Sequence, residues 1–186
     1  MPTAQVAASL DLPGPVVAST IGQHAAAGLV EFWTGDRVRL TGGGITAATA
    51  VLARERSALG TDTESIAERF DELNRRVKAA ITDWQVVRVA GAVVPNDHSD
   101  AKRDAIVVAR LASAVGTASV LLRPLARLRR RIAVLLGRLE GALGRVSAGG
   151  GDWVCGLGVD SVHAVWWNLH AELLALLGRE RGDADA

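Results

Sequence analysis

Apolar residues recur along much of this chain at steps of three and four, the spacing of one helical face. Ile66, Phe70, Leu73, Val77, Ile81 and Trp84 make the cleanest stripe. Ahead of it Thr61-Asp62-Thr63-Glu64 has capping-box spacing, and Asp71–Arg75 and Glu72–Arg76 fall at i,i+4 on the outer face. A second stripe, from Leu125 and Leu128 through Ile132, Leu135, Leu139 and Ala142 to Val146, runs through the segment 122–146. The third is Val162, Trp166, Leu169, Leu173 and Leu176, with His163, Trp167, His170, Leu174 and Leu177 beside it. Each stripe predicts a helix with one buried side.

Breakers and propensities fill in the rest. Residues 1–14 read as a mobile lead-in ending in Leu12-Pro13-Gly14-Pro15, and Pro15 suits the first turn of a helix running to about Trp33. Thr34 to Gly44 reads as a loop with a short extended piece at Val38-Arg39-Leu40. A weaker helix from Ile45 to Leu59 stops at Gly60. The valine-rich run from Gln85 to Val94 reads either as a short strand or as a continuation of the preceding helix. A long helical region covers Asp100 to Val146, and Pro124 divides it because proline removes a hydrogen bond from a helix interior. Its first half is apolar nearly all round and is expected to be the buried central helix. Ser147 to Gly151 is a flexible break, the last helix spans about Asp160 to Leu177, and residues 179–186 form a solvated tail. The sum is all-α: a single-domain bundle of five or six helices over 15–178, with one short strand in question around 85–94.

Composition places the chain among globular proteins, with 49% hydrophobic and 22% charged residues. Cys155 is the only cysteine, which excludes an internal disulfide and fits a reducing, cytoplasmic compartment. No Lys or Arg precedes Arg37, so the charged start of a secretory signal is missing. Leu12–Val30 contains two prolines and Ala105–Leu122 contains Arg110, so neither reads as a membrane span. The bias towards Ala, Leu, Val and Arg is that of a GC-rich bacterial genome.

Charge changes the picture most. Between Leu122 and Val146 stand seven arginines and one acid, Glu140, whereas the whole chain has a net charge of +1. The basic helix therefore predicts a surface for something acidic. Arg127, Arg130, Arg131 and Arg138 are its candidate contacts, and Trp166 and Trp167 are candidate aromatic anchors for the same partner. The expected function is a non-enzymatic interaction or regulatory module that binds an acidic protein. The alternatives are an anionic membrane or nucleic acid on the arginine face, and a small helical enzyme or carrier. Homo-oligomerisation stays open. Nucleic-acid binding there lacks any aromatic residue among the arginines for base stacking.

No catalytic residue, cofactor or metal is expected. His163 and His170 lie one heptad apart, roughly 10 Å along a helix, too far to share one metal. Gly42-Gly43-Gly44 precedes a helix without the Lys-Ser/Thr of a P-loop, so it reads as a cap and joint. Cys155 has no histidine near it in sequence, and only folding could bring His24 or His98 to it.

Two short resemblances bear on the enzyme or carrier alternative. Gly158-Val159-Asp160-Ser161-Val162 resembles the phosphopantetheine attachment site of acyl carrier proteins, which implies that Ser161 would carry the arm. The competing role for Asp160 or Ser161 is to cap the last helix. Phe70 to Val77, followed by Asp100 to Asp104, looks like the helical chorismate mutases, which implies a cationic clamp around a dicarboxylate. Arg103 and Asp104 roughly match that pattern, but Trp84 and Val94 stand where an arginine and a lysine are expected.

Overall fold

The three stripes fold as helices, and pairing between neighbouring extended segments adds two hairpins. The computed structural model describes residues 1–60 and 62–179. Among them are α1 (Thr3–Leu10), α2 (Gly14–Ala26), β1 (Val30–Thr34), β2 (Arg37–Leu40), α3 (Gly42–Leu59), α4 (Asp62–Gln85), β3 (Val86–Val89) and β4 (Ala92–Pro95). They are followed by α5 (Ala101–Leu121), α6 (Arg123–Leu128), α7 (Arg130–Ser147), α8 (Asp152–Cys155) and α9 (Val162–Leu177). The protein is mostly helical, with two small antiparallel sheets among the described residues. It divides into two compact units, Met1–Gly60 with Ala175–Ala186, and Thr61–Leu174. The capping-box side chains at 61–63 and the tail from residue 180 lie outside the described residues.

In the first unit, the residues expected to be a mobile lead-in form α1. Its start is tied down: the Met1 ammonium donates to the Val38 carbonyl at 2.8 Å, and Pro2 bridges to Arg37. The sequence hides this helix because Ala7 is its only buried side chain, which leaves no stripe. Asp11 closes α1 in the left-handed region (φ 50°), which a short polar side chain tolerates. Asp11-Leu12-Pro13 then leads into α2. That helix stops at Ala26, not Trp33. Gly28 turns the chain with positive φ, and the β-branched and aromatic run Val30–Trp33 pairs with 37–40. The extended piece expected at 38–40 is thus the second strand of a hairpin. A small core of Ala7, Val17 and Ile21, flanked by Val6, Leu12, Val30 and Val38, joins the two helices to the sheet.

Thr41 starts α3 by accepting from the Gly44 N–H at 3.0 Å while donating to the Gly28 carbonyl at 2.6 Å. A Cβ on Gly44 would stand 1.8 Å from the Leu29 carbonyl oxygen, so that glycine is a steric requirement of the hairpin's exit. Gly60 ends α3 with positive φ, as expected.

In the second unit α4 buries its whole stripe, Ile66 to Trp84, with α5 packed beside it and Phe70 stacked on α9. Each such side chain stabilises the fold by about 1.5–3 kcal/mol relative to exposure. On the outer face Arg75 pairs with Glu72, at i,i+3, one residue nearer than the expected Asp71. The 85–94 ambiguity resolves as both: helix to Gln85, then a β3–β4 hairpin closed by Ala90 and Gly91. Both turn residues have positive φ, as a type I′ turn requires. α5 buries Val107, Leu111, Ala114, Val115, Ala118 and Leu121, but Ile106 (62% exposed) and Val120 (63%) face outward. It is long and apolar enough to cross a membrane by length and composition, yet it is not buried all round. The long helical region does break just before Pro124. A second break at Arg129, in extended geometry, separates α6 from α7 and leaves Leu128 half exposed. The rest of that stripe, Leu125 and Ile132 through Val146, is buried as expected.

Candidate functional site

Several arginines of the segment 122–146 are engaged by groups within the fold. Glu172 on α9 accepts from Arg129 Nε at 2.9 Å with Oε1, and pairs with Arg131 Nε at 2.7 Å through Oε2. Arg138 faces Asp160 at 3.7 Å, and the Arg145 guanidinium lies 3.9 Å from the centre of the Trp153 ring. Arg127 and Arg130 are exposed. The acids that the sequence placed elsewhere thus return to part of the basic segment. Of the four arginines expected as partner contacts, Arg131 and Arg138 hold internal acids.

The two tryptophans also separate. Trp166 is buried, stacked on Phe70 with centroids 5.1 Å apart, and belongs to the core rather than to a surface. Trp167, one residue and about 100° further round the helix, is 43% exposed. Ser161 is buried and its Oγ accepts from the Ala164 N–H at 3.3 Å, so it caps α9 and offers no accessible hydroxyl for a prosthetic arm. Arg103 donates to the Asp83 and Val86 carbonyls (2.9 and 3.0 Å), which ties α5 to the end of α4 instead of clamping a dicarboxylate.

Folding brings together one set that the sequence had left open. His98 and Cys155, far apart in sequence, line the same cleft with Trp84, Gln85, Asp104 and Asp152. Burial pushes the Cys155 thiol above its ordinary pKa, opposed by a hydrogen bond with Gln85 and aided by Asp152. It is a protonated thiol at neutral pH, not an activated nucleophile. Beside the cleft the Asp97 carboxyl is held below its ordinary value by the Ser99 hydroxyl, 2.7 Å away, and by the Ser99 N–H. His163 is exposed and His170 is buried against Phe70. Among the described residues no group of three or more His, Cys, Asp and Glu side chains could hold a metal ion.

The first unit supplies an arrangement that the sequence analysis did not read. α1, a three-residue turn and α2 form a helix–turn–helix, and the hairpin follows at once. The hairpin is held beside the start of α1 by hydrogen bonds from Thr3 N to Asp36 O (3.2 Å) and from Val38 N to Met1 O (2.8 Å). α2 turns Val17 and Ile21 inward and leaves Ser19, Thr20, Gln23 and His24 exposed. No acid lies on α2, so its outer side offers hydroxyl, amide and imidazole groups without negative charge. Arg37 is exposed on β2, while Arg39 pairs with Glu31 at 2.6 Å and sits over Trp33. The signal was present in the alternation of 30–40 and the Leu-Pro-Gly-Pro turn. What hid it was the lack of an apolar stripe on α1.

No protein-family model, no curated protein and no solved structure matches this chain.

Proposed function

We infer that the first unit binds duplex DNA, with α2 entering the major groove and the β1–β2 hairpin lying on the backbone beside it. One observation carries this reading: a helix, a three-residue turn and a second helix with a polar, acid-free outer side, backed by a hairpin. A helix–turn–helix uses its second helix to reach base edges in the major groove. Ser, Thr and Gln side chains have the donors and acceptors that base edges match, and α2 carries no acid to be repelled by the phosphates that flank the groove. Arg37, exposed at the start of β2, supplies a cation that would neutralise a phosphate. The chain's function is then regulatory and non-enzymatic, by an element other than the arginine segment.

The test is selection from a random duplex library at low salt, followed by binding of the enriched sequence. Gln23→Ala should weaken the selected site by about 1–3 kcal/mol and relax preference at one position. Arg37→Ala should weaken all sequences alike and lower the salt slope by about one. A library that emerges unenriched sinks the proposal.

A second reading keeps an acidic protein partner on α6, where Arg127 stands next to the exposed Leu128. It predicts a complex that Arg127→Glu disrupts while DNA binding survives. An unchanged partner affinity in that variant removes it.

A further inference from the structure

We propose that the cleft of about 720 Å³ bounded by α4, α5, α7 and α8 in the second unit is a binding site for a small organic cation, a protonated amine carried on an apolar or aromatic body. The proposal does not depend on the first unit binding DNA. Every lining residue lies between Trp84 and Gly156, inside the second unit. The volume is that of a cleft for a drug-sized molecule.

The chemistry follows from which hydrogen-bonding groups are already used. The two amide hydrogens of Asn96 go to the Trp84 carbonyl at 3.0 Å and to Asp104 Oδ1 at 3.1 Å. His98 Nδ1 lies 2.9 Å from Asp104 Oδ2, and a carboxylate only accepts, so Nδ1 carries the hydrogen. In the neutral ring this leaves Nε2 as an acceptor, the tautomer that a carboxylate partner fixes. The ring is held further by its contact with Trp84, centroids 4.4 Å apart, and by a backbone hydrogen bond from its own N–H to Asn96 Oδ1 at 3.2 Å. His98 adopts positive φ there, a conformation for which histidine is several-fold enriched among non-glycine residues. Both Asp104 oxygens are thus engaged, and the exposed carboxylate of the cleft is Asp152.

Donors are spent. The glycine loop looks like an anion cradle, but its N–H groups turn inward. Gly149 donates to Val146, Gly150 to Arg145, Gly151 to Gly149, and Gly156 to Asp152, all at 2.7–3.1 Å. No Lys or Arg lines the cleft. An anion entering it would meet two carboxylates and no Lys or Arg side chain. A protonated amine meets the Asp152 carboxylate and the His98 lone pair, while Trp84, Val108 and Val146 offer apolar surface for its body.

The experiment is calorimetric titration of the full chain, without DNA, using phenethylamine and tryptamine. Phenylacetate and indoleacetate serve as their carboxylate counterparts. Saturable binding of the amines is expected, with none for the acids. Asp152→Asn should weaken the amines on the order of tenfold, the share of one charged hydrogen bond. Ala105→Trp, which fills the cleft from α5 without touching the polar groups, should abolish binding. Circular dichroism shows that each variant is folded. The proposal is overturned if neither amine binds saturably, if acids and amines bind alike, or if both variants bind like the parent. Failure here leaves the DNA reading standing, and failure of DNA selection leaves this one.

Discussion

Trp166 donates its indole N–H to Asn74 Oδ1 across 2.9 Å, with both residues buried between α4 and α9. The helix surface that looked like an anchor for a partner is therefore a polar pin inside the core. Trp166→Phe keeps an aromatic ring for the Phe70 stack but strands the amide, at a cost of about 1–3 kcal/mol for the unsatisfied group. Adding Asn74→Leu should recover part of that loss. Urea denaturation of the two single variants and the double variant checks this, and strictly additive effects would show that the hydrogen bond contributes nothing.

Glu172 binds Arg129 and Arg131 at once and is only 11% exposed. Glu172→Gln leaves two neighbouring guanidiniums without their counter-charge. The loss should be about 3 kcal/mol, the low end of the range for breaking a buried pair, because both arginines keep some contact with water. Arg127→Ala, on the exposed side, should stay within about 0.5 kcal/mol of the parent. Thermal melts of the two variants distinguish these outcomes.

Gly44→Ala should disturb the first unit locally. Its methyl would overlap the Leu29 carbonyl, and backbone cannot move aside cheaply. Hydrogen exchange in 28–44 should rise sharply while α4 and α5 in the second unit keep their protection. Uniform protection across both units in this variant would contradict the close approach at Leu29.

Burial raises the Cys155 pKa, so the folded thiol ionises at higher pH than the unfolded one. The stability gained by keeping it neutral is present below about pH 8.5, the ordinary thiol value, and is lost as pH rises through the folded-state value. Alkylation by iodoacetamide should accordingly be slow at neutral pH and climb at higher pH than for the urea-unfolded chain. Overlapping rate profiles would show an unperturbed thiol.

Periodicity alone was enough for α4, α7 and α9. In each, one helix carries its own record of burial, because every third or fourth side chain meets the same neighbour. Phe70, Leu139 and Leu169 could be placed inside without knowing what they touch. Pairings across the chain were beyond its reach. Val30 opposes Leu40, and Pro2 bridges to Arg37. An eight-residue helix with one buried alanine shows nothing by itself, so the helix–turn–helix emerges only when hairpin and N-terminus meet.

The amino-acid order of this protein determines its helical class, the burial stripes and the breaks at Gly60 and Pro124, because these depend on local spacing and backbone chemistry. Folding decided what its charges and reactive groups do. Glu172 reaches Arg131 from 41 residues away, and Cys155 joins His98 in one cleft from 57 residues away. Electrostatics and hydrogen bonding act through space over a few ångströms, and a linear reading holds no distance between residues that only packing brings together.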